Sequence, residues 1–225
     1  MLGRRPLLLA LLALVSACSS ARGLDRGALA AAVAPPVEVA GLAGLERPFK
    51  LAIVLQPPVA PPGVPADQRP PWEWGTSDED KLTRVGEALE RDRIVSDVVF
   101  LHPAGTRNPT EIRRLAAAEG ADAVLVVSGV ADVDRYNNVL GPSYVLLFTP
   151  LLVPGTVVDA LFVARGDLWD TRDALLYASL EADGMAMQTR PAWMISEERV
   201  VALARERALS DLAELVRETL ERLRD

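Results

Sequence analysis

The sequence predicts an α/β domain in which a βαβαβ unit is followed by a β-hairpin and a long C-terminal helix, packed in two or three layers. Three observations carry this. Apolar runs of strand length at 49–56, 94–101 and 121–131 alternate with stretches of helical period. From 158 to 180 the pattern changes to period-two alternation, the mark of paired strands. The last stretch then repeats Leu209, Leu212, Val216, Leu220 and Leu223 at helical spacing.

The elements follow in order. Residues 24–33 read as a short helical piece within a stretch rich in alanine, glycine and proline. The run 49–56 has no alternation, as expected of a strand covered on both faces. Seven prolines between Pro57 and Pro71 then remove amide donors and fix φ, which predicts an irregular loop, and this loop leads into Trp72 and Trp74. Ser77 with Asp80 three residues on suggests a helix start, with Leu82, Val85 and Leu89 on its apolar side. Asn108-Pro109-Thr110-Glu111 combines a cap residue, a first-turn proline and an acid, and the helix it opens stops at Gly120. In the hairpin, Val158, Ala160, Phe162, Ala164 and Leu168 form the predicted buried face. Asp159, Leu161, Val163, Arg165 and Asp167 lie on the other, and Asp170-Thr-Arg-Asp173 makes the turn. Ser196-Glu-Glu caps the final helix.

The start of the chain carries an address. Arg4 and Arg5 precede a short apolar core and then Val15-Ser16-Ala17-Cys18. The core is too short for a membrane span, which needs ~20 apolar residues, and fits a secretory signal. Val-Ser-Ala-Cys matches the lipobox, in which the cysteine thiol is lipidated before cleavage. The expected division is a signal peptide at 1–17, a lipidated tether at 18–47 and a periplasmic domain at 48–225. Ser19, rather than aspartate, after Cys18 points to the outer membrane with the domain facing the periplasm, and palmitate is an expected acyl chain. Cys18 is the single cysteine, so no intrachain disulfide can form. Removing Arg4 and Arg5 leaves 22 basic against 31 acidic residues, a net charge of −9. That balance argues against nucleic acid or anionic lipid as a partner, since both reward clustered Lys and Arg.

Gly120-Ala-Asp-Ala-Val-Leu-Val-Val-Ser128, Val153-Pro-Gly155, the stretch 161–169 and Ala174-Leu-Leu-Tyr177 recur in an order that resembles the rhombotarget lipoproteins. The resemblance implies a small α/β domain on a bacterial lipoprotein, with no established activity. Many of that family end in a glycine-rich sorting tail, whereas Arg222-Leu-Arg-Asp225 is a charged helix end, so processing by the matching protease is not implied. The layout is also similar to the small α/β domains of the curli secretion lipoprotein and related envelope factors, a likeness of fold alone.

No catalytic set emerges, and no cofactor or metal is expected. His102 is the sole histidine and lacks the cysteines or spaced carboxylates of a zinc site. Ser128-Gly129 is not part of a Gly-x-Ser-x-Gly elbow. Lys50 and Lys81, the two lysines, follow no glycine run that could cradle phosphate. The stretch 132–138 has acids spaced loosely like a calcium loop, but it lacks the central glycine and distal glutamate, and reads as a turn. Asp78-Glu79-Asp80 and Glu197-Glu198 read as first-turn helix acids. Paired carboxylates meet in space rather than in sequence, and nothing singles out a pair.

The remaining signals are apolar. Trp72 and Trp74, with Met185 and Met187, are candidate contacts for a protein partner, because tryptophan and methionine on loops are typical of contact surfaces. Burial in the core is an equal reading for the two tryptophans and the expected one for Trp193, which with Met194 precedes the last helix. The apolar stretch 144–158 reads as a buried or strand-like connection, with a membrane-dipping or docking loop as the alternative. Together these favour a non-enzymatic envelope lipoprotein that binds another protein. The alternatives are a hydrolase of an envelope polymer and a carrier of a small ligand near Phe148.

Overall fold

The uninterrupted apolar run builds β1 (Phe49–Leu55), and burial on both faces explains why it does not alternate. It is preceded by helix α1 (Arg26–Ala32) and followed by α2 (Thr76–Arg91), β2 (Val95–Leu101), α3 (Pro109–Ala118) and β3 (Ala123–Asn137). Two further strands, β4 (Thr156–Asp170) and β5 (Leu176–Arg190), lead into the long helix α4 (Glu197–Glu221). This computed structural model describes residues 21–35, 37–42, 45–103, 105–138 and 154–222.

The strands form one sheet in the order β2-β1-β3-β4-β5. β1 pairs in parallel with β2 and β3, whereas β3, β4 and β5 are antiparallel neighbours. The crossover through α2 carries the chain outward from β1 to β2, and the one through α3 brings it back across β1 to β3. Crossovers that share one hand but run in opposite directions place their helices on opposite faces. Side-chain alternation shows the result. Leu51, Ile53, Leu125 and Phe162 share a core with α2 and α4, while Ala52, Val54, Val124 and Val126 pack with Ile112 and Ala116 of α3. The domain is therefore three layers.

Local chemistry sets the helix ends. Asn108 and Ser196 cap α3 and α4, accepting from the N–H of Thr110 and Arg199. For α2 the start differs from the expectation at Ser77. Gly75 is the cap, and the Asp78 carboxylate accepts from its N–H at 2.8 Å. Asp78 is buried because Arg205 of α4 lies against it, Nε 3.2 Å from Oδ2. The pair ties the two helices of that layer together.

Three expectations need correction. The stretch 132–138 is not a turn: β3 runs on to Asn137, with Asp132 and Asp134 buried. The hairpin is not buried on one face only, since Leu161 and Val163 are as enclosed as Phe162. Helix α1 is the reason. It docks Leu29 and Val33 against Val130, Leu161 and Val163. Its cap is Asp25, which accepts from Ala28 N–H. Trp193 is not buried either; it is 64% exposed. The sheet face it could have covered is already filled by Val201, Ala204, Ala208 and Leu212 of α4. Most of the stretch 144–158, with Phe148, lies outside the described residues, as does Cys18.

Candidate functional site

The candidate protein contacts separate into two kinds. Trp72 and Trp74 turn back onto the core, half-buried, where they meet Phe162 edge-to-face at 4.7 Å and 5.8 Å between ring centroids. Trp74 also donates its indole N–H to the Gln56 carbonyl at 2.7 Å. This satisfies the one polar atom of the ring, as burial of tryptophan requires. Met185 and Met187 do the opposite. They lie on β5 rather than on a loop, 57% and 71% exposed, and project from the same face two residues apart. Among the described residues β5 is an edge strand of the sheet.

A crevice of about 340 Å³ opens at the other characteristic place of such a fold. It lies beyond the carboxyl ends of β1 and the parallel part of β3, where the two crossovers diverge to opposite faces. Gln56, Val59, Val126, Ser128, Asp167 and Trp169 line it, and the end of α1 with Arg107 forms its rim. Sequence reasoning placed Asp167 on the exposed face of a hairpin and missed this site, because α1 covers that face from elsewhere in the chain.

Asp167 is 9% exposed and accepts from Ser179 Oγ at 2.6 Å. Ser179 in turn accepts from Arg165, whose guanidinium pairs with Glu181. Arg26 of α1 then bridges Glu181 at 3.1 Å and Asp183 at 2.7 Å. A polar row thus runs from the crevice to the surface under α1. Burial pushes the Asp167 carboxyl above the usual range, against the opposing pull of the Ser179 hydroxyl and the Arg165 charge. The folded chain therefore keeps this proton to higher pH than the unfolded chain does. In the window between the two values the unfolded state binds fewer protons, so stability falls as pH rises through it, and the cost is complete above it. Asp167→Asn removes that loss. Its urea midpoint is expected to fall less than that of the parent as pH rises above the usual carboxylate range. Parallel curves would show that Asp167 titrates as an exposed acid.

Other residues weighed for chemistry are placed elsewhere. His102 is exposed and sits 3.2 Å from Glu79 of α2. Asp132 and Asp134 bind the N-terminal segment: Arg22 Nη2 lies 2.7 Å from Asp132, and Gly23 N–H donates to Asp134 at 2.7 Å. Among the described residues no group of His, Cys, Asp and Glu is arranged to hold a metal. Likewise, no described helix is long and apolar enough to cross a membrane.

The fold defines an α/β protein with a five-stranded mixed sheet between two helical layers. No family model and no curated protein matches the chain. Among solved structures it is similar to the PelC dodecamer from Paraburkholderia phytofirmans, at 19% identity over 78% of this chain and 89% of that one, with a TM-score of 0.34. It is also similar to a minor lipoprotein from Acinetobacter baumannii, at 11% identity, 78% and 92% coverage, and a TM-score of 0.35. A lipoprotein from Neisseria meningitidis matches at 15% identity, 77% and 97% coverage, and a TM-score of 0.31. Likeness at this level carries no assignment of role.

Proposed function

We propose that this chain is a bacterial envelope lipoprotein, held at the outer membrane by lipid on Cys18, whose periplasmic domain binds another protein in an assembly or maintenance role. The sequence motifs that resemble the rhombotarget lipoproteins fit this reading. The observation that carries it is the pair Met185 and Met187 on edge strand β5. An edge strand offers unpaired backbone groups, and natural proteins protect such edges with charge or proline unless the edge is used. Two exposed, adaptable methionines are instead the composition of a contact surface.

A photo-crosslinking residue at position 187, in the lipidated protein in its own envelope, is expected to capture one discrete protein. The same residue at exposed position 91 of α2 should not. Equal, diffuse capture from both positions would sink the reading.

A second reading, carriage of a small ligand, is favoured by the crevice, whose volume lies in the range of small-molecule sites. Native mass spectrometry of protein taken from its own envelope would then show a retained mass, reduced by Asp167→Asn. A clean apo mass in gentle conditions speaks against it.

A further inference from the structure

We propose that the end of the domain bearing Trp193 and Met194 rests on the lipid surface, so that the domain is held on the membrane in one orientation. The proposal depends on Cys18 being lipidated, as above.

The N-terminal segment fixes where the membrane must be. Arg22 pairs with Asp132 and donates to the Val133 carbonyl at 3.0 Å, Gly23 is bonded to Asp134, and Arg26 to Glu181 and Asp183. Helix α1 then climbs the sheet to the crevice, where its end meets Ser128 and Asp167. Arg22 and Gly23 therefore mark the opposite end of the sheet, where β3 finishes at Asn137, β4 begins at Thr156 and β5 finishes at Arg190. Asp134 is three residues from the end of β3, or about 10 Å at the rise of a strand. From Gly23 back to Cys18 there are five residues, which span at most about 18 Å when fully extended. The lipid attachment point cannot be far from this end.

What this end exposes suits a lipid surface. Trp193 is 64% exposed and Met194 45%. The connection that carries them is tied to the sheet end by Arg135, which donates to the Ala192 carbonyl at 3.3 Å and pairs with Glu197 at 3.2 Å. Exposed Arg190 and Arg199 flank it, with Glu198 as an exposed acid nearby. Tryptophan between apolar and basic neighbours is the pattern of an interfacial anchor: the ring sits at headgroup depth and the guanidinium groups reach phosphate. Asn138 and Pro154, bonded at 2.9 Å, also lie at this end. Met187, opposite Asp159 and so two strands from Asp134, stands about 10 Å to the side, which places a partner of that strand at the membrane as well.

The test uses the full lipidated chain in vesicles of phosphatidylethanolamine and phosphatidylglycerol whose acyl chains carry bromine, a contact quencher of tryptophan. Trp193 is one of four tryptophans, and Trp169 is buried while Trp72 and Trp74 pack on Phe162. The expected result is a loss of emission approaching one tryptophan's share, abolished in Trp193→Phe. Flotation with the vesicles is measured in parallel. Protein that floats but keeps its emission overturns the proposal and leaves the anchor intact. Quenching that persists in Trp193→Phe overturns it too, as does capture of a protein rather than lipid by a crosslinker at position 193 in cells. Protein that fails to float, or a Cys18→Ala chain that floats equally well, removes the lipid reading itself and this proposal with it.

Discussion

Gly184→Ala is expected to destabilise the domain by about 4 kcal/mol and to lower Tm by roughly 10 °C. A Cβ at that position would lie 2.1 Å from the Ala204 carbonyl oxygen and 2.6 Å from the Ala208 nitrogen. Both atoms are backbone of α4, so no rotamer change relieves the overlap; the helix itself must lift from β5. Gly166 makes the contrast on the neighbouring strand. A Cβ there meets Leu125 Cδ1 at 3.3 Å and Leu212 Cδ1 at 3.5 Å, ends of side chains that can turn aside. Gly166→Ala should therefore cost less than about 1 kcal/mol. Thermal unfolding followed by circular dichroism separates the two. If Gly184→Ala melted with the parent protein, the close approach of β5 and α4 described above would be wrong.

The second large effect is expected at Phe162. Its ring is fully buried beneath Trp72 and Trp74, and nothing else is positioned to fill the space. Phe162→Ala should cost about 3–5 kcal/mol. It should also shift tryptophan emission to the red, because the loop carrying Trp72 and Trp74 loses its seat. Gly129 provides a check on cause. A Cβ there would sit 2.6 Å from Phe162 Cζ, so Gly129→Ala alone is destabilising but should be better tolerated once Phe162 is shortened. Additive losses in the double variant would mean that the two sites do not meet as described.

The parts of this structure that could be read from sequence are those written in local chemistry. The run of β1, the Asn108 and Ser196 caps and the leucine repeat of α4 each follow from neighbouring residues, and the order of elements from their alternation. What escaped depends on distant residues. Asp132 and Asp134 looked like a polar turn because their partners, Arg22 and Gly23, lie more than a hundred residues earlier. Asp167 looked exposed because nothing near it announces that α1 returns to cover it. On β5 a signal was present but weak. Ala182, Gly184 and Ala186 alternate with Asp183, Met185 and Met187, yet small residues give little hydrophobic contrast, so the strand's extension to Arg190 went unread. Their smallness is itself the clue, since only small side chains let α4 lie so near the sheet.

The pinned N-terminal segment also determines how load would enter the molecule. Under the anchorage proposed at Cys18, a pull would act first on Asp132 and Asp134, across a few polar bonds and the Leu29–Val33 contact of a short helix. The sheet, with fifteen paired positions between β3 and β4, is much harder to shear. Tension would therefore peel the segment away as far as Ala40, whose N–H is held by the Leu176 carbonyl at 2.8 Å. That releases up to roughly 60 Å of extended chain before any strand moves. Such an attachment would work as a mechanical fuse: short at rest and long under strain, with the folded sheet intact at its far end.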